Sequence, residues 1–312
     1  MFSFFKNSKN LPEVPSWASY LTKTEYSKFI KSIDSYFYKQ NITYRLEDGY
    51  LEVGPNDFDF TQLGLVNLSQ ICKQDEPQNY KKIISRHFDT MVRSNKFDKD
   101  FQKIIHDFEQ IKQYVAVRLY HQSYFETVGK ENTIGKDFAG DIYAALVFDL
   151  PDNILSITPE QAEKWNKSID ELFGLGVKNV REACPINVSQ ESFNNLKIWI
   201  VEGNHFFVPN VVFDLDKHPQ VIGTYGSLIG IPHRHGVIIY PIENLQVINA
   251  ITTLIPLIKG MNTEGPGSIS NNLFWYNAGV FEDLPYEIQE EGIQFYPTEN
   301  FTNQLSLLQS KE

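Results

Sequence analysis

The chain predicts an α+β fold, with antiparallel or mixed β-sheets covered by helices, in two lobes built from β-hairpin-then-helix units. Three observations lead there. Apolar residues recur at helical spacing in several windows, among them Tyr20, Phe29, Ile30, Ile33 and Phe37. Other short apolar runs are bounded by turn pairs such as Asp48-Gly49 and Gly203-Asn204, the pattern of hairpins. Finally, Thr158-Pro159-Glu160-Gln161 and Ser168-Ile169-Asp170-Glu171 each set a hydroxyl three residues ahead of Gln or Glu, which is how a helix start satisfies its free amides.

In order along the chain, residues 1–13 are polar and predict a frayed end. Helical spacing from Ser16 predicts a helix to about Asn41. Ile42–Leu46 and Tyr50–Val53 flank Asp48-Gly49, a pair that tolerates the positive φ angles of a two-residue turn, so a hairpin follows. Asp57–Cys72 has no clear period. Asp75-Glu76-Pro77 starts a helix that runs to about Ser94, with acidic groups at the positive end of its dipole and proline where no amide partner is needed. Phe97–Ile111 predicts another helix, and Val115, Val117 and Leu119 alternate as a strand. Val128–Gly140, rich in Gly and charge, predicts the connection between an N-terminal lobe, 1–127, and a C-terminal lobe, 141–296.

Ile142–Leu150 is a continuous apolar run, hence a strand covered on both faces. The two capped helices carry Trp165, Leu172, Phe173, Val177 and Val180 and end before Cys184-Pro185. Lys197–Glu202 and His205–Phe213 predict a second hairpin across Gly203-Asn204. Gly223–Ile242 reads as two apolar strands joined at His233-Arg234-His235-Gly236, and Glu243–Met261 as an amphipathic helix kinked at Pro256. Gly265-Pro266-Gly267-Ser268 ends that helix, an aromatic stretch Leu273–Tyr296 follows, and the C-terminus is polar. Segments 42–94 and 197–261 share the order hairpin, then helix.

With 42% hydrophobic and 14% aromatic residues in 312, the chain has the material for a sizeable core, which excludes a disordered class. Its formal charge of −11 is uneven, +2 over residues 1–120 and −13 over 121–312. A surface that acidic repels phosphate backbones, so the C-terminal half is expected to bind no nucleic acid and to favour a basic protein partner. Cys72 and Cys184 share no motif, as expected of thiols in a reducing cytoplasm. No leader-like apolar segment opens the chain, and no run approaches the roughly 20 apolar residues of a membrane span. A cytoplasmic protein with no membrane partner and no cofactor is the expectation.

The candidate site is the turn His233-Arg234-His235. Were Ile231–Val237 one strand, both imidazoles would share a face, as in a two-histidine metal or phosphate site. Pro232 and Gly236 predict instead a turn in which the side chains diverge. A metal would need further ligands from His205, Glu202, Asp214, Asp216 or His218, and no H-E-x-x-H pattern is present. No metal is assigned. The candidate binding residues are His233, Arg234 and His235, with Ser227 and His205; a plain solvated hairpin turn is the favoured reading of the stretch, beside a polar binding or anion-contact role with Arg234. Ser227 lacks the G-x-S-x-G elbow and Cys184 precedes proline, so neither reads as a nucleophile. Gly174-Leu175-Gly176 and Gly265-Pro266-Gly267 lack the lysine of phosphate loops.

Trp165, Ser168, Glu171, Leu172 and Asn179, the Gly203-Asn204 pair, Gly226-Ser227 with Ile231-Pro232 and Arg234, and Ile269-Ser270 with Leu273-Phe274 together resemble a YtpQ-like bacterial family that carries a domain of unknown function. The resemblance covers roughly residues 140–276. It implies a fold type and no activity. In that family a small polar residue and an acid flank the arginine, whereas His233 and His235 stand here, so a role resting on that acid does not carry over. The function expected is that of a cytoplasmic, non-catalytic binding or interaction protein. An immunity or inhibitor protein presenting an acidic C-terminal surface to a basic toxin is one form of it. The alternative is a hydrolase with a site around His233, Arg234 and His235, with or without a bound metal.

Overall fold

The computed structural model describes residues 12–56, 61–290 and 292–310. Residues 1–11 of the expected frayed end and 57–60 of the aperiodic segment lie outside them. The fold is α+β, and every ladder among the described residues is antiparallel. The chain forms two compact units, one running to Ile105 and including Leu150–Asn153, the other made of His106–Asp149 and the chain from Ile154 onward. The division therefore falls at Ile105/His106 and not within 128–140, and residues 106–127 belong to the second unit.

The first unit holds α1 (Lys23–Lys39), β1 (Tyr44–Glu47), β2 (Tyr50–Val53), β3 (Gln62–Gly64), α2 (Val66–Lys73) and α3 (Tyr80–Ile104). α1 begins later than Ser16 because Thr22 caps it: the Thr22 hydroxyl accepts from the Glu25 amide while the Glu25 carboxylate accepts from the Thr22 amide. The β1–β2 turn is the expected one, with Asp48 at φ 39° and Gly49 at φ 84°. α3 runs on through the break expected after Ser94, since no glycine or proline interrupts residues 80–104. Phe29, Phe37, Leu51, Leu68, Tyr80 and Phe88 form its core.

The second unit opens with α4 (Phe108–Ile111), β4 (Val115–His121), α5 (Tyr124–Val128), β5 (Gly135–Ala139), β6 (Ile142–Asp149), β7 (Ile154–Ser156), α6 (Pro159–Trp165) and α7 (Ile169–Ala183). There follow β8 (Asn187–Phe193), β9 (Leu196–Glu202), β10 (Ser227–His233), β11 (Gly236–Pro241), α8 (Val247–Glu264), β12 (Leu273–Asn277), β13 (Val280–Leu284), β14 (Tyr286–Gln289), β15 (Gly292–Phe295) and α9 (Glu299–Gln309). One sheet runs β4-β6-β5 with β7 also on β6, and a second, six-stranded, runs β13-β12-β10-β11-β9-β8. Segment 128–140 is not a connector, because it supplies β5 and because buried Ile134 is bonded through its backbone to Leu146 and Ile157. β6 is buried from Ile142 to Phe148, as a continuous apolar run requires.

Both capping boxes form as the sequence predicts, starting α6 at Thr158 and α7 at Ser168. The expected hairpin between Lys197–Glu202 and His205–Phe213 does not form. β9 pairs with β8 across Asn194 and Asn195, which take φ 48° and 65°, and Val208–Phe213 is a 3-10 helix. Pro209 there has no amide to give a ladder. α8 starts at Val247 and lays Ala250, Ile251, Leu254 and Ile258 on Leu228, Ile238 and Tyr240 of the six-stranded sheet. Its approach depends on Gly230, where a Cβ would stand 2.4 Å from Ile258 Cδ1. The C-terminal segment is not merely polar, since α9, capped by Thr298, buries Phe301 and Leu308. Among the described residues no helix is long and apolar enough to cross a membrane.

Gly226, just before β10, sits at φ +82°, and a Cβ on it would stand 2.3 Å from Tyr276 O. Gly279 has a like φ of +85° with open space around it. Gly226→Ala is therefore expected to cost more than about 2 kcal/mol in urea unfolding, through clash added to strain, and Gly279→Ala only about 1 kcal/mol through strain alone.

Candidate anion-binding site

Gly223–Ile242 forms the expected hairpin, and the residues at its tip are held from several sides. β10 and β11 are buried at nearly every position, which fixes their register, and His233 pairs with Gly236 across the turn. The Arg234 amide donates to Gly267 O at 3.0 Å. Arg234 Nε donates to His235 Nε2 at 3.2 Å, and His235 Nδ1 lies 3.3 Å from Gly203 O. A carbonyl only accepts, so His235 is the neutral Nδ1–H tautomer and its second nitrogen serves the arginine.

The Arg234 guanidinium lies 4.2 Å from the centroid of the Phe206 ring, in the loop after β9. Arg118 of β4 approaches the same ring at 5.6 Å and the Tyr120 ring at 4.5 Å. Tyr120 in turn stacks on Tyr124 at 4.7 Å with ring planes 16° apart. The order Tyr124, Tyr120, Arg118, Phe206, Arg234 thus makes a ladder of alternating rings and guanidiniums, rising from one sheet to the other. Each such cation–ring contact is worth about 0.5–2 kcal/mol, more as water is excluded.

What the ladder lacks is a counter-charge. Arg181, outside it, is gripped by Asp214 through two bonds of 2.7 and 2.6 Å. Neither Arg118 nor Arg234 forms an ion pair with a described carboxylate, and Arg118 Nε is buried with no hydrogen-bond acceptor. Burial pulls the Arg234 guanidinium down to about 10, and the neighbouring Arg118 charge adds to the effect. Burial likewise raises the Tyr120 hydroxyl. Asp149, whose carboxyl burial pushes up, feels the charge of Arg118 but does not pair with it. Two cations brought together partly out of water, with Arg118 Nε unsatisfied and no described carboxylate claiming either, can bind phosphate or carboxylate oxygens.

Of the residues singled out in the sequence, Arg234 and His235 enter this cluster. His233 faces away from the ladder. Its Nδ1 accepts from the His235 amide at 3.2 Å, and a Cβ on Gly265 would stand 2.2 Å from its ring. Burial, with the nearby His235 and Arg234, holds it down to about 4. The two imidazole centroids are 6.5 Å apart. Ser227 is buried with its hydroxyl bonded to Val221 O at 2.7 Å, and it braces a turn. His205 is tied to Pro185 O and the Phe207 amide, fixing the loop that presents Phe206. Asp214 is committed to Arg181 and Lys217. Among the described residues no three or more His, Cys, Asp or Glu side chains gather to hold a metal.

Sequence reasoning missed Arg118, Tyr120 and Phe206. The alternation of Val115, Val117 and Leu119 assigns Arg118 to the opposite face of the strand, where a charge is ordinary, so the sequence carried no signal for it.

His233 binds its proton more weakly folded than unfolded, so between about 4 and its ordinary 6.5 the unfolded chain holds the extra proton and stability rises with pH. Relative to pH 7, His233 is expected to cost about 1–2 kcal/mol at pH 5. His233→Gln should flatten that part of the urea-unfolding profile.

Comparison of the chain with protein-family models, with characterised proteins and with solved structures gives no match.

Proposed function

We propose that this is a binding protein whose second unit captures an anionic group through Arg118 and Arg234, at a site that is itself non-catalytic. The observation that carries the reading is a pair of partly buried guanidiniums, fixed by aromatic rings and without a carboxylate partner. A protein that only packed these arginines would neutralise them, as Asp214 neutralises Arg181. The −13 balance of residues 121–312 supports a partner that is otherwise basic, as an immunity or inhibitor protein would meet, and the arginines add that this partner brings an acidic group with it. A cytoplasmic setting accords with Cys72 and Cys184 both standing unpaired. The resemblance of residues 140–276 to a YtpQ-like family would imply a common fold and adds no activity.

The hydrolase alternative has less behind it. His233 is held neutral with its Nδ1 occupied, and both nitrogens of His235 are engaged. Among the described residues no hydroxyl donates to either imidazole and no carboxylate orients one, so neither stands beside a nucleophile it could deprotonate.

Titration of the full chain with inorganic phosphate and with citrate, followed by isothermal calorimetry and amide NMR shifts, tests the proposal. Saturable binding is expected, with shifts at Arg118, Phe206 and Arg234. Arg118→Met and Arg234→Met should each weaken it at least about tenfold, the loss of one charge-assisted hydrogen-bonding partner. Binding that is absent, or that survives both substitutions, refutes the site.

A further inference from the structure

We propose that Ser123, His121 and Asp141 form a base-activated nucleophile that accepts acyl groups from small neutral or cationic esters. The cluster lies at the end of β4, where His121 pairs with Ile142 and so stands beside Asp141, and where the Gln122 amide donates to Asp141 O at 2.8 Å. It is distinct from the arginine ladder.

His121 Nε2 lies 3.2 Å from Asp141 Oδ2, and the other carboxylate oxygen accepts from Ser270 Oγ at 2.5 Å. Ser270 is itself buried and its Oγ accepts the Asn272 amide at 3.0 Å, so the carboxylate is fixed from behind. On the far side of the ring, Ser123 Oγ is 2.7 Å from Nδ1, and the Ser123 amide donates to the same Nδ1 at 3.1 Å. An amide N–H can donate only to an unprotonated ring nitrogen. Nδ1 therefore carries the lone pair, Nε2 carries the proton toward Asp141, and the Ser123 hydroxyl donates to a base. Those are the roles of a serine nucleophile, its base and the carboxylate that orients the base, recognised by geometry and with the two ring nitrogens exchanged.

A plain turn into α5 would account for the amide bond from Ser123. It leaves unexplained the carboxylate set on the opposite nitrogen and the buried serine that positions it. Ser123 is exposed and so open to a reagent in solution. Glu126 stands one turn on and Asp141 behind, while Asp137 is paired with Lys130 at 3.5 Å, so the two unneutralised carboxylates disfavour anionic substrates.

In the step, Ser123 Oγ bonds to the ester carbonyl carbon as its proton passes to His121 Nδ1. The bond to the leaving oxygen breaks, and His121 returns the proton to that oxygen. Water, losing a proton to the same nitrogen, then attacks the acyl carbon, and the carboxylic acid leaves as Ser123 regains its hydrogen.

The full chain is treated with p-nitrophenyl acetate, and acetylated residues are mapped by peptide mass spectrometry over time. Ser123 is expected to acetylate at least about 100-fold faster than the other exposed serines, the scale of general-base assistance. His121→Gln should erase that excess at an unchanged melting temperature, and Ser123→Ala should remove the adduct. If His121→Gln does not fold, Asp141→Asn is read in its place, with the same loss expected. No acetyl group on Ser123, acetylation on His121 instead, or a Ser123 rate that is the same in the substituted chain overturns the proposal.

Discussion

The central pair of the six-stranded sheet, β10 and β11, is the constraint from which the rest of the second unit follows. Both strands are buried at nearly every position, so a shift of one residue would exchange two apolar faces and break the packing of α8 at Gly230. With the register fixed, the turn at 233–236 has one place to be. The amide of Arg234 is bound to Gly267 and its Nε to His235, so the guanidinium has one direction in which to point. β4 of the other sheet supplies Arg118 to the same ring, and the loop after β9 supplies that ring.

Two forces oppose each other there. Like charges partly stripped of water repel and favour proton loss, which is the direction of the change at Arg234. The faces of Tyr120 and Phe206 attract the same cations and hold them in spite of it. The balance leaves both guanidiniums without a described carboxylate and Arg118 Nε without an acceptor. At Arg181 the conflict does not arise, because a bidentate carboxylate completes the charge within the protein. This contrast, between an arginine with a carboxylate partner and two without one in the same unit, is what the proposed receptor rests on.

What the sequence revealed was local. Asp48-Gly49 and the two capping boxes act within four residues, and each forms as its chemistry dictates. Gly223–Ile242 was legible as a hairpin because its apolar runs and its turn are contiguous. The partner of β9 was not, since Asn194-Asn195 and Gly203-Asn204 are both competent turns and only Pro209 spoke against the second. For the site, Arg234 stood out beside two histidines. Arg118 and Phe206 lie far from it in the chain, and only sheet pairing and a loop bring them together. The Ser123–His121–Asp141 cluster shares that limit: the His-x-Ser spacing is visible, but the carboxylate and Ser270 arrive through tertiary structure.

The ladder of rings and guanidiniums also bears on how quickly a ligand is taken up. A long arginine side chain usually surrenders its rotameric freedom at the moment of binding, at about 0.5–1.5 kcal/mol for each one immobilised. Here Tyr120, Phe206 and His235 have already ordered both side chains as the unit folds. An anion bound as proposed would wait for no side chain to settle, so discrimination between ligands would fall to how long each one stays.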